Sequence, residues 1–301
     1  MNPRYPVFVP SRGRADLARR LSSTAGRLMH DGVPFRMVIE PQEVDAYAEV
    51  VGEDRLVVLP FRDRGTSTPA RNFIRDLAES EGAARHWQLD DNIKEFRRLY
   101  RGRRIICHSG LALRVCEDFT DRYSNVAISG LNYQMFVPDH EPVPFRKNTH
   151  VYSCTLVNHA WPGRWRLDYN EDTDLCLQAL VGGWCTLSLN VFMANKERTM
   201  TNRGGNTESL YNAERGATDT DGRFRMAEVL RRAWPGLVEV RRRFDRFQHV
   251  VDWKRFETPL ILADGVDLAT LPEIDEYGMT LRAVKDVRSP TLRRMVEEWS
   301  A

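Results

Sequence analysis

Two acidic clusters carry the chemistry this chain could do. Asp90-Asp91-Asn92 follows the run His86-Trp87-Gln88-Leu89, and Glu171-Asp172-Thr173-Asp174 precedes Leu175. Adjacent carboxylates at the end of a buried strand repel each other and resist desolvation, so they persist where a cation or a ligand hydroxyl neutralises them. Hard oxygen donors of this kind suit Mg²⁺ or Mn²⁺ bridging to a diphosphate. A solvated turn at a strand end is the competing reading. Acids that open a helix favour its dipole, which accounts for Asp174. Asp172, with Glu171 beside it, is the candidate general base that takes a proton from an acceptor hydroxyl.

Cations gather at matching places. Arg12 and Arg14 follow Pro10-Ser11, and Arg71-Asn72 opens a helical stretch. Guanidinium forks suit phosphate oxygens, and an Asn amide can read a base edge. Lys196 leads into a polar loop with Arg203, Gly204, Gly205 and Asn206, where glycines allow close backbone approach to a ligand. From Arg223 to Arg255 there are ten Lys or Arg against four Asp or Glu, with Trp234, Phe244, Phe247 and Trp253 interleaved. Arg241, Arg243 and Trp253 from that segment are candidates for a nucleic-acid backbone and an exposed base. A helix pair with solvated arginines and core aromatics is the plainer alternative. His249 alternates with apolar residues, as a strand histidine or a late metal ligand does.

The elements that must position these residues read as an α/β chain. Strands are expected at Tyr5 to Pro10, Phe35 to Ile39, Arg55 to Pro60 and His86 to Leu89. Between them come helices from Asp16 through Leu28, from Glu43 to Val50 and from Ala70 to Glu79. Alternation of this sort predicts a parallel sheet with helices on both faces, and a ligand at the carboxyl ends of its strands. Further on, the pattern predicts a helix over 105–124, strand-turn-strand over 125–137, a strand over 150–158, a helix over 175–181 and a strand over 184–193. The tail from Leu260 to Ala301 shows no recognisable chemistry. A boundary near Thr207 would divide a catalytic domain, 1–206, from a basic extension, 207–301, packed on it.

Composition is that of a globular protein. Of 301 residues 42% are hydrophobic and 29% charged, and the net charge of +2 is too small for a bulk electrostatic attraction to nucleic acid. Five cysteines without a CxxC pair predict reduced thiols rather than a disulfide framework or a zinc cluster. Charged residues interrupt the N-terminus before any long apolar run, and no stretch suits a membrane span, so a cytoplasmic protein is expected.

Four segments together resemble a known family. Val9-Pro10-Ser11-Arg12-Gly13-Arg14, Ala70-Arg71-Asn72, Leu89-Asp90-Asp91-Asn92-Ile93 and Glu171-Asp172-Thr173-Asp174-Leu175 are similar to GT-A glycosyltransferases, and more narrowly to the TET-associated glycosyltransferases of bacteriophages. The resemblance spans roughly residues 5 to 255. It implies a GT-A-type nucleotide-sugar-binding fold and sugar transfer from a UDP-sugar (UDP-glucose or UDP-N-acetylglucosamine) with Mn²⁺ or Mg²⁺. The acceptor it implies is the hydroxymethyl group of a 5-hydroxymethylpyrimidine, such as 5-hydroxymethylcytosine, in phage DNA. It places Asp90 on the nucleotide ribose and Asp91 on the metal, although Asn92 stands where an acid is usual. Asp172 is then the base if the reaction inverts the anomeric centre. Pro10, Ser11, Arg12, Arg14, Arg71, Asn72 and Lys196 complete the expected donor site, with Asn92 and His249 joining Asp91 at the metal. Three rival readings are a transferase acting on a glycan or lipid-linked sugar, a sugar nucleotidyltransferase, and a non-catalytic DNA-binding module.

Overall fold

A computed structural model describes residues 1–63, 65–138, 143–197, 222–243, 246–279 and 290. The first strand, β1 (Val7–Pro10), alternates its side chains between two cores: Val7 and Val9 enter one, and Phe8 the other. β2 (Arg36–Ile39) and β3 (Leu56–Val58) extend the sheet on one side of β1, and β4 (Arg85–Leu89) on the other, all parallel. Trp87 and Leu89 of β4 share the core of Val7 and Val9. Its other face carries His86 and Gln88, and Asp90 follows at the same spacing.

The connecting helices cover both faces. α1 (Ala15–Ala18), α2 (Thr24–His30) and α3 (Val44–Val51) lie on the Trp87 side, and α4 (Thr68–Ser80) packs Ile74 and Ala78 against Phe8 and Val38. The single helix expected from Asp16 to Leu28 is two. Ser23 accepts a hydrogen bond from the Gly26 amide (3.0 Å) and restarts the helix as its N-cap, while Leu21 is left exposed. The broken turn folds so tightly that a Cβ on Gly26 would meet the Arg20 carbonyl oxygen at 2.1 Å.

Beyond β4 the architecture departs from the expected parallel pattern. β5 (Ile93–Tyr100) and β6 (Arg103–Cys107) form a hairpin, so residues 105–107, expected to open a helix, are strand. α5 (Ser109–Thr120) then covers the Trp87 face, and β7 (Val126–Tyr133) is one continuous strand where two were expected. After β8 (Phe145–Lys147), β9 (Cys154–Asn158) inserts antiparallel between β4 and β7. α6 (Glu171–Val181) packs Leu175, Cys176 and Ala179 on Ile128 and Val157, and β10 (Cys185–Lys196) returns parallel to β7. The finished order is β3-β2-β1-β4-β9-β7-β10-β5-β6, with β8 alongside β10. Most strands point the same way, as a GT-A-type sheet requires, and β5, β8 and β9 oppose them.

The described part of the basic segment is α7 (Arg223–Ala233) and a hairpin of β11 (Val238–Arg243) and β12 (Arg246–Val251), rather than a pair of helices. Leu230 and Val238 close on Leu177 of α6, seating this unit on the same body. The expected boundary near Thr207 lies outside the described residues. The tail runs back over the sheet: Asn148 Nδ2 donates to the Phe256 and Thr258 carbonyls, and Leu262 bridges to Tyr123. All five cysteines are free thiols. No described helix is long and apolar enough to cross a membrane.

Candidate active site

The carboxyl ends of β1, β4, β7 and β10 open into one cleft of about 460 Å³. Such a volume suits a small ligand held largely out of water. The Asp90–Asn92 turn is pinned from below by α2, whose Thr24 amide donates to the Asp91 carbonyl (3.2 Å). Thr24 Oγ1 also takes the Ile93 amide (2.9 Å).

Asp90 and Asp91 point to different partners. Asp90 Oδ1 accepts from Arg71 Nη2 (2.8 Å) and Oδ2 from Lys196 Nζ (2.6 Å). Burial would raise its pKa, but Lys196 and Arg71 outweigh that and hold the carboxyl well below its ordinary range. For Lys196 burial works the other way, and Asp90 with Tyr133 overcomes it, so the ammonium stays charged. Lys196 also donates to Ser153 Oγ (2.8 Å). Asp91 Oδ1 accepts from Arg14 Nη1 (2.6 Å) and Oδ2 from Ser11 Oγ (2.6 Å). Arg12 lines the same wall and donates to the Gly65 carbonyl (3.3 Å).

The opposite wall is the start of α6. Asn170, left-handed at φ 53°, turns the chain into the helix and donates to the Met226 carbonyl of α7 (3.0 Å). Glu171 Oε1 lies 3.5 Å from Arg71 Nε and accepts from Ser67 Oγ (2.9 Å). Its pKa is raised because burial, with Asp172 adjacent, outweighs Arg71. Asp172 Oδ2 lies 3.2 Å from His150 Nε2, and His150 overcomes the burial that would raise the carboxyl's pKa and pushes it well below its ordinary range. Thr173 Oγ1 sits 3.4 Å from His150 Nε2 and 3.3 Å from His249 Nε2. His249 is lowered to about 4, first by burial and then by His150, so it is neutral near pH 7.

Several expected residues take other posts. Asn72 lies beneath the cleft, with both ends of its amide tied to Trp165: Nδ2 donates to the carbonyl (2.7 Å) and Oδ1 accepts from the amide (3.1 Å). It braces a loop and does not line the cleft. Trp253, expected to stack on an exposed base, instead stacks inward on the His150 ring (centroids 5.9 Å apart, 19° between planes). Asp174 is fully buried and does more than favour a helix dipole. It accepts from Arg166 (2.9 Å), from Gln178 (2.8 Å) and from the Trp234 indole (2.8 Å), tying α6 to α7. His249 groups with His150 and Asp172, away from the partners of Asp91. Arg203, Gly204, Gly205 and Asn206 lie outside the described residues.

The residues that sequence reasoning missed are His150, Tyr133, Tyr152 and Ser153. Tyr133 and Tyr152 stack at 4.6 Å beside His150, whose ring lies 4.0 Å from that of Tyr152. The polar run Asn148-Thr149-His150, just ahead of a buried strand, was the only signal.

Among the described residues no group of three or more His, Cys, Asp or Glu side chains is placed to hold a metal ion. The oxygen donors at the β4 end nonetheless fit one. Asp90 and Asp91 keep 21% and 12% of their side chains exposed, each carboxylate oxygen has a lone pair to spare, and the buried Asn92 Oδ1 has no hydrogen-bond partner.

A mostly parallel sheet with paired acids and three counter-cations at its carboxyl edge is the architecture of a GT-A-type glycosyltransferase. The sequence comparison narrows this further: residues 5–205 match the TET-Associated Glycosyltransferase family, and the chain belongs to it. A search among curated proteins finds no match.

Proposed function

We propose that this glycosyltransferase moves a sugar from a UDP-sugar, UDP-glucose or UDP-N-acetylglucosamine, to the hydroxymethyl group of 5-hydroxymethylcytosine in DNA. The observation that carries the reading is the division of one cleft into two walls. Arg14, Arg71 and Lys196 ring the acids of one wall, and an ionised Asp172 paired with His150 faces them from the other.

Cations in a partly desolvated cleft suit a leaving diphosphate, whose charge grows as the bond to the sugar breaks. Arg12, Arg14 and Lys196 stand where the diphosphate would lie, and Asp90 where a ribose hydroxyl would be held. Asp91 and Asn92 would hold Mg²⁺ or Mn²⁺, which when bound neutralises the departing charge. In a single displacement the acceptor oxygen bonds to the anomeric carbon, the bond to the diphosphate oxygen breaks, and the hydroxyl proton passes to Asp172. His150 positions that carboxylate and keeps it ionised until the proton arrives.

The DNA part of the reading rests on the β11–β12 hairpin. Val240 pairs with His249 and Arg242 with Phe247 on the face turned toward α7 and the cleft, which places Arg241, Arg243 and Arg246 on the outer face. Arg246 stands three strand steps from His249, about 10 Å, so phosphates flanking a reacting base can meet these arginines. The hydroxymethyl group on C5 of cytosine lies in the major groove, where it can be reached with the base stacked or flipped.

The test is UDP release from a panel of UDP-sugars with Mn²⁺, with and without duplex carrying 5-hydroxymethylcytosine. Release stimulated by the modified duplex and not by unmodified duplex is expected. Release indifferent to DNA would move the acceptor to a glycan. Pyrophosphate instead of UDP would indicate a nucleotidyltransferase.

A further inference from the structure

The β5–β6 hairpin is a strongly basic surface that the cleft does not use. Between Ile93 and Cys107 it carries Lys94, Arg97, Arg98, Arg101, Arg103 and Arg104 against one carboxylate, Glu95. Glu197 takes Lys94 (2.5 Å), and Glu95 takes Arg97 Nε (2.6 Å). Among the described residues no carboxylate pairs with the other four arginines. On α7, by contrast, Glu228 neutralises both Arg231 (2.6 Å) and Arg232 (3.1 Å).

The tip of the hairpin is built to present charge. Arg101 and Gly102 both have positive φ, 49° and 73°, in a tight two-residue turn that suits Asn-Gly. An arginine in the first of those positions costs roughly 1 kcal/mol. Arg98 and Arg101 place their guanidinium carbons 5.6 and 5.1 Å from the ring centroid of the half-exposed Tyr100. Flat cations on an aromatic ring form a surface that follows a nucleic-acid backbone. Among the described residues β6 is the edge strand of the large sheet, with no further strand paired to it.

The position of the hairpin sets its reach. β5 starts directly after Asn92 in the cleft and runs eight residues away from it. At about 3.3 Å per residue the tip lies roughly 25 Å from the cleft. At 3.4 Å per base step that is about 7 base pairs of duplex.

We propose that this hairpin grips the phosphate backbone of the acceptor duplex about 7 base pairs from the reacting base, a second contact beyond the β11–β12 arginines. The inference rests on the reading that the acceptor is DNA. Its test is the double variant Arg101→Asn, Arg103→Ala, in which Asn keeps the turn because it tolerates positive φ. Binding is measured by fluorescence anisotropy over a salt series, on two duplexes with a central 5-hydroxymethylcytosine. One duplex extends about 12 base pairs to each side and the other about 4, so that only the first spans the reach estimated above. On the long duplex the slope of log K against log salt should become shallower by about 2, with KM raised and kcat at saturating DNA unchanged. On the short duplex the variant should match wild type. An unchanged slope on the long duplex overturns the proposal, and so does an equal loss on both duplexes, which would put these arginines at the cleft. Failure of wild type to bind either duplex would instead overturn the DNA reading beneath it.

Discussion

Asp90–Asp91 and Glu171–Asp172 are both adjacent acids on the rim of one cleft, and the fold treats them in opposite ways. The first pair follows a strand, where consecutive side chains diverge, so each carboxylate finds its own cations: Arg71 and Lys196 for Asp90, Arg14 for Asp91. The second pair sits in the first turn of a helix, with fewer cations in reach. Arg71 is shared with Asp90, and His150 attends Asp172. Glu171 is therefore pushed toward the neutral acid while Asp172 is held ionised. A strand end can neutralise two charges at once, which suits a site for an anionic donor. A helix start leaves the two carboxyls with pKa values pushed in opposite directions, which suits proton transfer.

Breaking the first pair should have the largest effect on stability. Asp90→Ala strips Lys196 and Arg71 of their shared carboxylate. Removing one partner from a buried pair costs several kcal/mol, and about 3 kcal/mol is expected because Asp90 remains a fifth exposed. Adding Lys196→Met should recover part of that loss in urea melts. Glu171→Gln should cost less than about 1 kcal/mol, since Ser67 can still donate to the side-chain oxygen. Equal losses in the two variants would remove the contrast.

The histidine beside the second pair gives a pH-dependent effect, absent near neutral pH. His249 titrates at about 4 in the folded protein against 6.5 when unperturbed, so between those values the unfolded chain holds the extra proton. Stability should fall as pH drops from 6.5 toward 4, with a slope contribution of up to about 1.4 kcal/mol per pH unit, and should be indifferent to this group above 6.5. His249→Gln should flatten that limb of the melting-temperature profile. Asn72→Ala removes two hydrogen bonds to Trp165 and tests the brace beneath the cleft. It should cost about 1–2 kcal/mol and leave UDP affinity unchanged. Weakened UDP binding there would return Asn72 to the nucleotide.

The strand-end half of the site was readable because β1 to β4 are local and alternate with helices, so Ser11–Arg14, Arg71 and Asp90–Asn92 had to converge. The other wall was only partly readable. Asp172 announced itself as an acid at a helix start, but its partner His150 comes from the approach to β9, an antiparallel strand inserted between β4 and β7 that local pattern cannot place. β5 and β6 were hidden for a related reason: their outward positions hold arginines, and Ile105 and Ile106 look like a helix face until Phe96 is paired with Cys107. Asn72 was not placed by the pattern, because a helix opening toward a cleft presents some residues to it and others to the loop below. Arg71 took the first place and Asn72 the second.

The division of labour between the walls is tested most directly by Asp172→Asn, with UDP binding by calorimetry and single-turnover transfer to 5-hydroxymethylcytosine duplex measured on the same preparation. UDP affinity should stay within about twofold of wild type, since no donor-wall residue is touched, while transfer should fall by about 10²–10⁴, the span a general base supplies. Transfer near the wild-type rate, or loss of UDP binding in step with transfer, would contradict the assignment of Asp172 to the acceptor.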